Sequence, residues 1–207
     1  MHISEGVLSA PVLAAGFALG AAGVAVGLKK MSYDKLPEVA VLASVFFVAS
    51  LVHVPIGPSA VHLILSGVCG LLLGWTAFPA ILVGLALQAL LFQYGGLTVL
   101  GTNTFIMAFP AVVLGLTVGK LIRNADGYIR WIAEFICGAG AVFLSGVLAA
   151  AVLMLTDKAF EWAAFAVVAV HVPIMILEGL ITVFVVEFLL RVRPEMLRIP
   201  RLNEEER

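Results

Sequence analysis

Long apolar runs alternate with short polar clusters along this chain, and the runs have the length of membrane crossings. Proline, glycine and charge divide them into spans at about 11 to 28, 37 to 52, 60 to 75, 78 to 94, 103 to 122, 131 to 156 and 162 to 190. Some 20 helical residues cross ~30 Å of hydrocarbon, so each run predicts a helix. Only Trp75-Thr76-Ala77-Phe78-Pro79 parts the third run from the fourth. Pro79 suits the first turn of a new helix, and one unbroken helix through both would overshoot the bilayer. The expected fold class is all-α, a polytopic membrane protein of seven transmembrane helices in one domain, 1–207. Its parts are an N-terminal arm, 1–10, a seven-helix bundle, 11–190, and a tail, 191–207.

Charge gives these spans an orientation. Lys29, Lys30 and Lys35 follow span one, Lys120, Arg123 and Arg130 surround the loop after span five, and Arg191, Arg193, Arg198, Arg201 and Arg207 follow span seven. With seven spans all eleven lie on one side and Lys158 alone on the other, which predicts a cytoplasmic C-terminus and an outer Met1. Six spans would send one basic cluster outward. No Lys or Arg precedes the first apolar run, so that run reads as a span and not as a signal peptide. Gly16, Gly20, Gly23 and Gly27 recur along it at a spacing that lets helices approach closely, chiefly for packing within the bundle.

Composition agrees with the pattern. Apolar residues make up 62% of the chain and charged residues 12%, against about 45–50% and about 25% in soluble domains. A net charge of −1 leaves no basic surface for nucleic acid. Cys69 and Cys137 fall in different runs without a CxxC spacing, which reads as two buried thiols.

In so apolar a chain the few polar groups carry the chemistry. Three of the four histidines map to the outer side: His2 in the arm, and His53 and His62 flanking the turn Val54-Pro55-Ile56-Gly57-Pro58-Ser59. The arm is short enough to fold back over that mouth. An unblocked Met1 amine, the deprotonated amide nitrogen of His2 and its ring nitrogen can close two chelate rings around one ion, three nitrogens in a plane. An imidazole from His62 or His53 would complete a square of nitrogens, the geometry of Ni(II) or Cu(II). Mg(II) and Ca(II) want oxygen ligands, and Zn(II) prefers a tetrahedron. Cobalt remains open.

Metalloprotease, serine-hydrolase and dinucleotide signatures are absent, and the GLTVLGT run from Gly96 to Thr102 lacks the lysine of a phosphate loop. Glu178 lies inside span seven, seven residues from His171 and so on the same helical face, as a packing partner or a support for ion passage. Glu5 and Asn103 are outer-side residues placed to orient a ligand ring.

These residues carry a resemblance. The N-terminal MHISEG, the stretch HVPIGPSAVHLILSG from His53 to Gly67, LFQYGGLTVLGTNTFIM from Leu91 to Met107 and HVPIMILEG from His171 to Gly179 resemble the CbiM/NikM family. These are the nickel/cobalt-specific substrate-capture subunits of energy-coupling-factor transporters, importers driven by ATP hydrolysis. The resemblance runs nearly end to end and implies a six-helix capture core extended by one N-terminal helix. It also implies metal ligation by the Met1 amine, by the His2 amide and ring, and by His62, with His53 as a neighbour. The segment Gly57-Pro58-Ser59-Ala60-Val61-His62-Leu63 resembles the nickel branch, since the Ser-His-Pro motif of the cobalt branch is missing.

By the same resemblance the cargo is Ni(II), with Co(II) as the second metal, and no prosthetic group is needed. The chain would be a non-enzymatic, multi-pass protein of the prokaryotic plasma membrane. Its implied partners are a transmembrane coupling subunit, two cytoplasmic ATPase subunits and a small accessory membrane subunit. Two other readings stay open: an intramembrane enzyme using His171 and Glu178 as an acid-base pair, and an organic-vitamin capture subunit of similar fold.

Overall fold

The computed structural model describes residues 2–56 and 59–197. Met1, Gly57, Pro58 and the tail from 198 onward lie outside the described residues, and so do the side chains of residues 53–61, among them His53.

The described chain is helical apart from one short hairpin. In order it comprises α1 (Ala10–Lys29), α2 (Leu36–Ala49), strands β1 (His53–Ile56) and β2 (Ser59–His62), α3 (Ser66–Leu73), α4 (Ala77–Phe92), α5 (Leu100–Asn124), α6 (Gly127–Thr156), α7 (Glu161–Val170) and α8 (Val172–Val192). Single 3₁₀ turns join α3 to α4 and α6 to α7. Five segments are long and apolar enough to cross a membrane: Ala10–Lys29, Ser66–Phe92, Leu100–Asn124, Gly127–Thr156 and Lys158–Val192. α2 has 14 residues, about 21 Å of rise at 1.5 Å each, short of ~30 Å of hydrocarbon.

Two of the expected spans take a different form. The run from 60 to 75 is not one helix, because β2 occupies its start and α3 covers only eight residues. The antiparallel hairpin pairs His53 with His62 and Ile56 with Ser59. Leu65 then turns into α3 with a left-handed φ of 55°. The run from 162 to 190 divides at His171, which ends α7 before α8 starts. Pro173 follows directly and has no N–H to continue the ladder.

The glycines of α1 make one buried face. A Cβ at Gly16 would collide with Thr102, at Gly20 with the Gly101 backbone, at Gly23 with the Phe78 ring and at Gly27 with Pro79 and Trp75. The stripe therefore serves contact within the bundle, and it aligns α1 along α4 and α5. One end of α1 meets the start of α5 beside the N-terminal arm. The other carries Lys30, whose ammonium lies 5.3 Å from the Trp75 ring. α6 packs between α5 and α8, and α3 fills the space between α5 and α6. Both cysteines are buried free thiols.

Candidate metal centre

The arm reaches the hairpin by being tied down at three places. The Ile3 N–H donates to Asn103 Oδ1 at 3.1 Å, and Asn103 Nδ2 donates to the Ile3 carbonyl at 3.0 Å. The Asn103 amide thus pairs with the arm as a strand neighbour would. The Glu5 N–H donates to the Gly95 carbonyl at 3.1 Å, and the Thr98 N–H donates to Glu5 Oε1 at 3.0 Å. That last bond holds the Glu5 carboxyl below the ordinary carboxylate range. Ile3 is buried with Ile106 and Ala149, and Val7, Leu8 and Val167 pack around them. Gly95 and Gly96, at φ of +75° and +138°, let the loop pass beneath the arm, and a Cβ at Gly96 would run into Glu5. Glu5 and Asn103 thus bond to the backbone that fixes the arm next to His2.

So anchored, the His2 ring lies 5.0 Å from the His62 ring, centre to centre, with 24° between their planes. Two imidazoles on neighbouring corners of a nitrogen square, each bonded at about 2 Å, have centres about 4.5 Å apart, so the observed spacing suits a shared ion. His62 Nδ1 is 2.9 Å from the Leu63 carbonyl. A carbonyl only accepts, so the proton belongs on Nδ1 and the Nε2 lone pair is available to a metal. Both ring nitrogens of His2 are buried without a hydrogen-bond partner among the described residues. Burial, then the nearby chain terminus, then His62, push its pKa down to about 2, so the ring is neutral, as a ligand must be.

No group of three His, Cys, Asp or Glu side chains able to hold a metal is found among the described residues. The expectations for Met1 and for the His53 side chain lie outside the described residues.

His171 and Glu178 bond to different parts of the backbone. His171 Nδ1 bonds to the Val167 carbonyl at 2.6 Å, one turn back in α7. Glu178 Oε1 accepts from the N–H groups of Ile64 and Leu65, and Oε2 accepts from Leu65 at 2.9 Å. With the helix divided at His171, the expectation of one shared helical face gives way to two separate tasks. Glu178 caps the start of α3 and holds Leu65 in its left-handed turn, a conformation costing about 1–3 kcal/mol for a non-glycine residue. It thereby fixes the chain two and three residues beyond His62. The carboxylate is wholly buried and supports the site through the backbone.

Sequence reasoning missed one residue, Tyr94. Its ring stacks on His2 at 5.9 Å and on His62 at 6.1 Å. The signal that could have found it is a lone tyrosine followed by two glycines at the end of an apolar run.

Comparison with known proteins shows the family. The family model described as the cobalt uptake substrate-specific transmembrane region, CbiM, matches residues 2–196. A protein of Haemophilus influenzae named for metal transport is 41% identical over 202 residues, covering 95% of this chain and 97% of its own. A cobalt transport protein CbiM of Sorangium cellulosum is 29% identical, covering 95% and 94%. A crystal structure of a transition metal transporter superposes with a TM-score of 0.80 at 27% identity, covering 93% of each chain.

Proposed function

The chain belongs to the CbiM family of cobalt-uptake substrate-specific transmembrane regions, and from that premise we propose that it captures Ni(II) in a planar four-nitrogen site for ATP-driven uptake. Within that family it is a multi-pass membrane component of cobalt and nickel uptake. The donors in this reading are the Met1 amine, the His2 amide and ring, and His62 Nε2. The observation that carries it is the docked arm, which brings a neutral, unpartnered His2 ring to 5.0 Å from a His62 whose proton is held on the far nitrogen.

Nickel is favoured over cobalt by two features. A terminal amine, an amide and a ring nitrogen on adjacent residues make a flat chelate, and flat nitrogen sets suit Ni(II). The segment before α3 also lacks the cobalt-branch motif.

Orientation follows from charge. α1 runs from the arm to Lys29 and Lys30, and the basic residues, Lys158 apart, fall on the side away from the arm when the chain crosses seven times. β2 with α3 then makes one of the crossings, and α7 with α8 makes the last. The arm faces outward, where metal arrives, and the C-terminus faces the cytoplasm. A coupling membrane subunit, two ATPase subunits and a small accessory subunit complete the importer, since this chain carries no nucleotide-binding motif.

We favour capture over the enzyme reading, since Glu178 accepts from the Ile64 and Leu65 N–H groups and His171 Nδ1 bonds to the Val167 carbonyl. Metal analysis and a visible spectrum of the purified chain test the proposal. One nickel per chain with a yellow, planar d–d band is the expected result, and a chain that takes up neither nickel nor cobalt would reject it.

A further inference from the structure

At the end of α1 away from the arm lies a small cavity of about 180 Å³, lined by Lys30, Lys35, Gly74, Trp75, Thr76 and Leu116. Its walls come from distant parts of the chain. Lys30 caps α1, Lys35 precedes α2, Gly74 to Thr76 form the turn between α3 and α4, and Leu116 belongs to α5. Gly74 takes a φ of +56°, a left-handed backbone that favours glycine, and so starts the turn beside the lysines. The Thr76 hydroxyl donates to the Leu73 carbonyl at 2.9 Å and closes it. The Lys30 ammonium lies 5.3 Å from the Trp75 ring, which holds its charge at the cavity. Neither Lys30 nor Lys35 forms an ion pair among the described residues, although Asp34 and Glu38 are close in sequence. Lys120, exposed one turn beyond Leu116 on α5, adds to the positive potential.

We propose that this cavity binds a phosphate group, supplied by an anionic phospholipid of the surrounding bilayer. Two lysines line it without an anionic partner among the described residues, and phosphate is the anion a bilayer presents at its surface. Tryptophan beside lysine is the pairing that settles at headgroup level, and basic pockets between spanning helices hold anionic headgroups. The start of α4 also lines the cavity through Thr76, and the positive end of a helix favours an anion. The volume is below the about 300–1,000 Å³ of pockets for whole organic ligands, so the headgroup enters and the acyl chains stay outside. A phosphate bound there ties the α1–α2 loop to the α3–α4 turn. The site lies at the opposite end of α1 from His2, and it does not depend on which ion the chain captures.

Trp75 reports on the cavity by itself once Trp131 and Trp162, both exposed, are replaced by Phe. In neutral detergent, phosphatidylglycerol with brominated acyl chains is compared with the matching phosphatidylcholine, and quenching of Trp75 emission gives the two affinities. Phosphatidylglycerol should bind about tenfold or more tightly, the advantage that two lysines at a lipid surface supply. Lys30→Gln with Lys35→Gln should shrink that preference to within about twofold and leave the thermal midpoint in detergent unchanged. Lys29→Gln, a neighbour outside the cavity lining, should keep the full preference within about twofold. If the double variant fails to fold, Lys35→Gln alone should weaken the preference about fivefold. Sodium phosphate that displaces the lipid no better than sodium chloride of equal ionic strength supports the lipid source, and specific displacement by phosphate would overturn that source in favour of the free anion. Equal quenching by the two lipids, or a preference lost as fully in Lys29→Gln as in the cavity variants, would overturn the site.

Discussion

Of the places where this bundle buries polar side chains, the hairpin end and the start of α3 use them in opposite ways. At the hairpin, the buried His2 ring has no hydrogen-bond partner among the described residues and lies beside His62, and the hydrogen bonds of the neighbourhood serve to hold the arm. Below it, Glu178 is engaged at both oxygens by the N–H groups that open α3. Both regions are costly to place in an apolar interior. The difference separates their tasks: Glu178, engaged by backbone N–H groups, fixes the chain, whereas the unpartnered His2 ring beside His62 is the one suited to a ligand.

Breaking Glu178 should have the largest effect on the fold. Glu178→Ala leaves the Ile64 and Leu65 N–H groups unpaired where no water replaces the carboxylate, at about 1–3 kcal/mol for each donor. Thermal unfolding in detergent should show a much lower midpoint, with metal binding lost as a consequence. His2→Ala should show the reverse, with metal affinity falling more than about a hundredfold and the midpoint nearly unchanged. A His2 variant that melts early, or a Glu178 variant that melts normally, would erase the distinction between the regions.

Removing the clamp sharpens it further. Asn103→Ala takes away both bonds to Ile3 and leaves every proposed ligand in place, so nickel affinity should fall about ten- to a hundredfold. His171→Phe should have the smallest effect, under about threefold on nickel affinity. It removes a single bond to the Val167 carbonyl, worth about 1 kcal/mol of stability.

The two regions also differ in their response to acid. His2 titrates in the folded chain at about 2, far below an unfolded value near 6.5. The unfolded or undocked arm therefore binds the proton that the docked ring refuses. Docking is at full strength above about pH 6.5 and is lost progressively as the pH falls below that value. Metal binding also releases protons from amine and amide, so nickel affinity should drop continuously with pH. Calorimetry in buffers of different ionisation enthalpy would count those protons.

How far the sequence could be read follows from the same contrast. The runs that became α1, α5 and α6 were visible because hydropathy and proline spacing act locally. His2 and His62 stood out because charged and polar residues are scarce. The hairpin was not legible: four-residue strands in an apolar run resemble the start of a helix, and the carboxylate that holds Leu65 just beyond it is 113 residues away. The division at His171 was written in Pro173, yet the length of the apolar run outweighed it. The Asn103 clamp on Ile3 was not legible, because an amide that bonds backbone 100 residues earlier leaves no periodic trace. Tyr94 was hidden in a motif whose glycines drew attention to the turn and not to the ring beside it.

The most direct test of planar capture is a calorimetric nickel titration of the chain with a free Met1 amine against the same chain carrying an acetylated Met1 or one added N-terminal residue. Loss of one corner of the square should weaken nickel binding by more than about a hundredfold and abolish the yellow planar band, while the thermal midpoint is unchanged. Equal affinity and an unaltered spectrum after blocking would contradict it.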